Sequence, residues 1–107
     1  MTKDHERLRH ILEQISYIEQ FIQDTRDIKT LKATERCIEI IGEACRAISD
    51  QLQSQYPKVP WRSIVGMRNI LVHEYYQLDN ETIWDIAENK IPVLKDWIIG
   101  ILEQLDD

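Results

Sequence analysis

Residues 28–55 read IKTLKATERCIEIIGEACRAISDQLQSQ, and this stretch decides the fold. Leu31, Thr34, Ile38, Ile41, Cys45, Ile48 and Leu52 follow one another in alternating steps of three and four, the spacing that lines up one face of an α-helix. Cys37, Ile40 and Ala44 widen that face. A wide apolar stripe belongs to a helix packed in a bundle, not to the narrow seam of a two-stranded coil. The spacing predicts a helix over residues 28–55. Gly42 lies inside it, at a cost of about 1 kcal/mol relative to alanine. Such a glycine suits a close helix crossing, or contact with a ligand or a second subunit.

The same period extends outward in both directions. Leu8, Ile11, Leu12, Ile15, Ile18, Phe21 and Ile22 predict a first helix over residues 4–24. Tyr56-Pro57-Lys58-Val59-Pro60 ends the second, because each proline disfavours helix at the residue before it. A third helix starts at Trp61, with Pro60 suited to its beginning, and carries Ile64, Val65, Arg68, Leu71, Val72 and Tyr75. Asp79 or Asn80 caps a fourth, whose stripe is Ile83, Ala87, Ile91, Leu94, Ile98, Ile101 and Leu105. Trp84, Ile86 and Trp97 broaden that stripe, and Pro92 is expected to end or kink the helix after about Asn89. The prediction is an all-α, antiparallel bundle of four to five helices, a single domain over residues 1–107. Its apolar faces exceed what so short a chain easily hides, so a homodimer is expected, through the second or the terminal helix.

Composition supports this reading. With 43% hydrophobic residues and only three glycines and three prolines among 107 residues, the chain is too apolar for disorder and too poor in turn formers for a many-stranded barrel. It has no apolar run of the roughly 18–20 residues a membrane span needs, and it opens on the charged MTKDHERLRH, which is unlike a secretory signal. Cytoplasmic localisation without membrane contact is the expectation. Cys37 and Cys45 sit in the apolar pattern and read as small buried hydrophobes, not as a disulfide or metal ligands. His5 and His10, among charged neighbours, are expected to be exposed and inert.

The net charge of −6 argues against tight, nonspecific nucleic-acid binding. The charge is unevenly spread, however. Residues 74–107 hold nine acids and two bases, whereas residues 51–73 hold Lys58, Arg62 and Arg68 and no acid. A locally positive site on an acidic molecule follows.

That acid-free stretch leads into Met67-Arg68-Asn69-Ile70-Leu71-Val72-His73-Glu74-Tyr75-Tyr76. An arginine clamps phosphate through its planar fork, and a histidine exchanges protons near neutrality. Together they suit metal-free cleavage of a phosphodiester in RNA. His73 would take the 2′-hydroxyl proton or supply one to the leaving 5′-oxygen, and Arg68 would stabilise the charge that builds on phosphorus. Asn69, four residues before His73, can fix the imidazole. Arg68 and His73 stand about 140° apart on an ideal helix. They share a cleft only if the helix edge faces it, if the helix loosens near His73, or if a dimer brings two copies together. Arg36, Glu39 and Glu43 could support such a site as a polar stripe. Equally, they could be ordinary helix-surface pairs, with Arg68 bound to Glu39 or Glu43. No Glu-x-x-His accompanies the carboxylates, so neither a metal nor another cofactor is expected.

Arg68-Asn69-Ile70-Leu71-Val72-His73-Glu74-Tyr75 resembles the Arg-x4-His-x-Tyr signature of the HepT-like family of the HEPN superfamily. The likeness extends through Arg36-Cys37-Ile38-Glu39-Ile40-Ile41-Gly42-Glu43-Ala44, the approach from Trp61 to Met67, and the closing segments Trp84-Asp85-Ile86 and Ile91-Pro92-Val93-Leu94. The resemblance implies a homodimeric, metal-independent endoribonuclease, the toxin of a type VII toxin–antitoxin module. It also implies a minimal nucleotidyltransferase antitoxin that moves AMP from ATP onto the motif tyrosine. On this chain Arg68 and His73 take the catalytic positions, Asn69 the polar position beside them, and Tyr75 the modified one. Tyr75→Phe is then expected to keep nuclease activity and escape modification. The rival reading is a noncatalytic helical module that binds a nucleotidyltransferase partner, since such bundles exist without nuclease activity.

Overall fold

Asp27 shows how the chain turns from its first helix into its second. Its carboxylate accepts the backbone N–H of Thr30 at 2.8 Å, the contact that caps a helix start. Thr30 holds the carboxyl below its ordinary range. A computed structural model describes residues 3–73 and 80–106, with residues 68–73 described by their backbone alone. Its helices are α1 (Lys3–Gln23), α2 (Ile28–Ala47), α3 (Asp50–Gln55), α4 (Trp61–His73), α5 (Asn80–Asp85) and α6 (Ile91–Asp106). The π-helical turn Ile86–Lys90 joins α5 to α6. No strand occurs among the described residues, and no described helix is long and apolar enough to cross a membrane.

Cross-chain contacts fix the directions. His5 Nε2 meets Asp106 Oδ1 at 2.5 Å, and Lys95 Nζ donates to Glu19 Oε2 at 2.7 Å. The start of α1 therefore lies by the end of α6, and the two run antiparallel. Asp4 accepts the backbone N–H of Ser49 at 2.9 Å, so α1 and α2 are antiparallel as well. Leu8, Ile11, Ile15 and Ile18 of α1, Ile38, Ile41 and Cys45 of α2, and Ile91, Leu94, Ile98 and Ile101 of α6 form the core. These are the residues the three-and-four spacing selects. The all-α bundle is as expected.

The second helix is shorter than predicted. It stops at Ala47, and Ser49 starts α3 by accepting the N–H of Leu52 at 3.2 Å. Ile48 is extended yet only 2% exposed. The break keeps the apolar pattern buried while the backbone changes direction. Gln53 closes the joint, its amide donating to the carbonyls of Cys45 and Ile48 at 3.3 and 3.0 Å. The Cys45 carbonyl also accepts the Ile48 N–H at 3.3 Å, so the last carbonyls of the helix are satisfied where the chain turns.

Pro92 does not break the last rod. The backbone stays helical from Asn80 to Asp106, and the turn just before the proline widens instead. The Ile91 N–H reaches back five residues to the Ile86 carbonyl. A proline lacks an N–H and crowds the carbonyl four residues earlier. A turn with one extra residue accommodates this without ending the helix. Arg26, from the α1–α2 connection, pairs with Glu88 in this turn and lies 4.9 Å from the centre of the Trp84 ring.

His5 corrects an expectation. It is buried rather than exposed, because the C-terminal end of α6 folds over the start of α1 and presents Asp106 to it. His10 is exposed, 3.9 Å from Glu13.

Candidate functional site

The motif helix is anchored at its N-terminus. Trp61 and Ile64 are 7% and 4% exposed, the Trp61 indole donates to the Tyr56 carbonyl at 3.1 Å, and the Ile64 N–H bonds the Pro60 carbonyl at 3.1 Å. From there α4 runs as regular α-helix through His73. Arg68, Asn69 and His73 therefore all lie on one continuous helix, and the helix does not loosen before His73. Arg68 and His73 stay about 140° apart around it. Tyr75 lies outside the described residues.

At about 100° per residue, Arg62, Gly66, Asn69 and His73 occupy one face of α4. On α2, Glu35, Glu39, Gly42 and Arg46 occupy one flank by the same count. The two helices pack together. Arg46, at the end of α2, and Arg62, near the start of α4, line one cavity with Trp61 and Gly66, so α2 and α4 are antiparallel. Counting along both helices from that cavity, at equal rise per residue, brings Gly42 level with Gly66, Glu39 with Asn69, and Glu35 with His73. Gly42 is buried, consistent with a close crossing.

The expected supporting residues divide along this flank. Arg36 Nη1 donates to Glu39 Oε2 at 3.1 Å, with the Glu39 side chain 20% exposed. Glu43 follows one turn on, exposed. The structure adds Glu35, whose side chain is 15% exposed and whose carboxylate lies 3.6 Å from Lys32 Nζ. Its signal was available in the sequence, one turn before Glu39. Arg62, already noted as one base of the acid-free stretch, is joined by Arg46, which the sequence reading did not single out.

Cys37 and Cys45 are free and buried. Burial raises both thiols, that of Cys45 to about 12, which removes the thiolate a nucleophile or metal ligand needs. Among the described residues no group of three or more His, Cys, Asp or Glu side chains is placed to hold a metal. A second cavity of about 420 Å³ opens on the other side of α4, between Ser63 and Met67 and the rod residues Asn89, Lys90, Val93 and Trp97.

The chain is thus an all-α bundle that carries Arg-x4-His on α4, a helix packed against α2. The family profile described as ribonuclease HepT-like matches residues 1–101, and the chain belongs to that family. A Methanocaldococcus jannaschii protein named "Gamma-glutamylcyclotransferase and putative RNase" is 38% identical over 105 residues, 92% of this chain but 47% of that protein. The chain thus spans about half the length of that relative. A "Putative RNase" of the same organism is 33% identical over 102 residues, covering 87% of this chain and 88% of its own length. A "Probable ribonuclease HepT" of Thermococcus cleftensis is 35% identical over 102 residues, 89% of this chain and 93% of that one. No solved structure gives a significant match.

Proposed function

We propose that this chain is a metal-independent endoribonuclease and the toxin of a type VII toxin–antitoxin pair. The observation that carries the reading is the Arg68-Asn69-x3-His73-x-Tyr75 motif in a chain matched to the ribonuclease HepT-like family over residues 1–101. His73 accepts the proton of an RNA 2′-hydroxyl, and the 2′-oxygen attacks the adjacent phosphorus. The bond from phosphorus to the 5′-oxygen breaks, and a protonated histidine returns a proton to that oxygen. The products are a 2′,3′-cyclic phosphate and a 5′-hydroxyl. Arg68 neutralises charge on the phosphoryl oxygens, while Asn69 and the Glu39 flank hold the imidazole in place.

A homodimer fits the helix geometry. With α4 regular to its end, residues 140° apart on one helix serve a single cleft more easily when two copies contribute. A minimal nucleotidyltransferase antitoxin silences the enzyme. The Tyr75 phenolic oxygen attacks the α-phosphorus of ATP, pyrophosphate leaves, the phenolic proton is lost, and AMP stays on the ring. The added phosphate sits two residues from His73, where its charge repels RNA.

The test is total RNA incubated in EDTA with unmodified protein of verified mass. Cleavage by the parent, reduced at least ~100-fold in Arg68→Ala and His73→Ala, is expected from loss of a proton-transfer or charge-stabilising group. Intact RNA in every lane, with folded protein, overturns the reading in favour of a noncatalytic module.

A further inference from the structure

We propose that the cavity where Arg46 and Arg62 converge is a backbone subsite for single-stranded RNA. It holds a phosphate of the strand flanking the bond cleaved at Arg68 and His73. The proposal rests on the ribonuclease reading above and extends it by assigning a binding site away from the motif.

Three observations carry it. First, arginines from two different helices line one opening of about 280 Å³. Arg62, Trp61, Gln53 and Asp50 also line the adjoining opening toward Val59 and Pro60, so the two form one groove across the start of α4. Second, the other arginines with described side chains are already engaged. Arg7 lies near Asp4, Arg9 near Asp106, Arg26 near Glu88 and Arg36 near Glu39. Arg46 and Arg62 are exposed, and neither has an ion pair among the described residues. On a chain of net charge −6, two guanidinium groups in one groove with no ion pair among the described residues are a specific anion-binding feature.

Third, Gly66 forms part of the same cavity. A glycine in mid-helix is unfavourable relative to alanine. Nothing in the described structure demands it, since a Cβ built there meets no atom within 4 Å. A bare backbone at a cavity mouth lets a ligand approach closely. Gly66 shares its helix face with Arg62 and His73, and Arg62 lies roughly 16 Å along the axis from His73 at ~1.5 Å per residue. That is a few nucleotides of strand at the ~3.4 Å per stacked nucleotide of one chain. Asp50 is the acid in the cavity lining, and it opposes a phosphate there.

The probe is a fluorescein-labelled single-stranded RNA 12-mer, followed by anisotropy in the His73→Ala background across a salt series. Arg46→Gln/Arg62→Gln is expected to weaken binding at least ~10-fold at low salt. It should also flatten the log–log salt dependence by about 0.7, the slope expected for one lost single-strand phosphate contact. Arg46→Lys/Arg62→Lys should recover most of the affinity, and Asp50→Asn should tighten binding. Arg7→Gln/Arg9→Gln, on α1, is the charge-matched control. Helical circular dichroism of each variant keeps misfolding apart from lost contacts. RNA bound by the parent with unchanged affinity and slope in the Arg46/Arg62 variant overturns the subsite and leaves the ribonuclease intact. The pair would then serve an acidic protein surface. Failure of the parent to bind or cut RNA overturns both readings.

Discussion

Ile41 and Ile28 lie on the same helix and differ almost completely in burial, at 0% and 72% exposure. Truncating Ile41 to alanine removes three carbons from the centre of the core. Transfer alone costs about 2.4 kcal/mol at ~0.8 kcal/mol per buried carbon. The cavity left behind adds to this, because neighbouring helices collapse only partly. A total of about 3.5 kcal/mol is expected, which for 107 residues at ~2.1 cal/mol/K per residue lowers Tm by about 15 °C. Ile28→Ala deletes the same atoms from the surface and should cost under about 0.5 kcal/mol. Urea titration followed at 222 nm, at one fixed protein concentration, measures both. A loss below about 1 kcal/mol for Ile41→Ala refutes the packing argument. An equal loss for Ile28→Ala does so too, by showing that Ile28 is covered in solution.

Ser49→Ala should cost about 1 kcal/mol by removing the cap of α3. Ser49→Asp, ordinarily a good cap, should fail to restore it, because the Asp4 carboxylate lies 2.5 Å from the Ser49 hydroxyl; thermal melts compare the two. Cys45 should resist iodoacetamide at pH 8 until the chain unfolds. Its folded thiol keeps its proton to about 12, whereas the free thiol titrates near 9.0. Its contribution to stability is therefore present below pH 9 and lost as pH rises toward 12, and Cys45→Ala should flatten that slope in alkaline denaturation curves. Arg26→Ala gives up both Glu88 and the Trp84 ring and should cost about 1 kcal/mol. A double-mutant cycle with Glu88→Gln should show coupling near 0.5 kcal/mol, and zero coupling would dismiss the ion pair.

Much of the fold was legible because apolar spacing and prolines act locally. The ends of α1 and the start of α4 fall within a residue of expectation. What escaped depends on contacts between distant parts of the chain. The apolar stripe runs unbroken through Ile48 to Leu52, so periodicity alone does not register the joint at Ser49; that joint is held by Asp4, 45 residues away. His5 is buried by a helix end 101 residues downstream. The widened turn had a local trace, since Ile83, Ala87 and Ile91 step by four and four, too long for 3.6 residues per turn. At the site, the motif on α4 could be read directly. The flank opposite it could be read only in part: Glu39 stood out, but Glu35 and Arg46 acquire meaning from the antiparallel crossing of α2 and α4.

The π turn acts as a phase coupling between two gears. One surplus residue rotates everything beyond it by about 100°, so α5 can mesh with α2 while α6 meshes with α1. Remove a single residue between Ile86 and Lys90 and the rod would become locally smoother but globally mistimed, with Leu94, Ile98 and Ile101 swung off α1. Natural variation in the length of this rod should therefore come in whole turns or be absorbed at this one loosened turn.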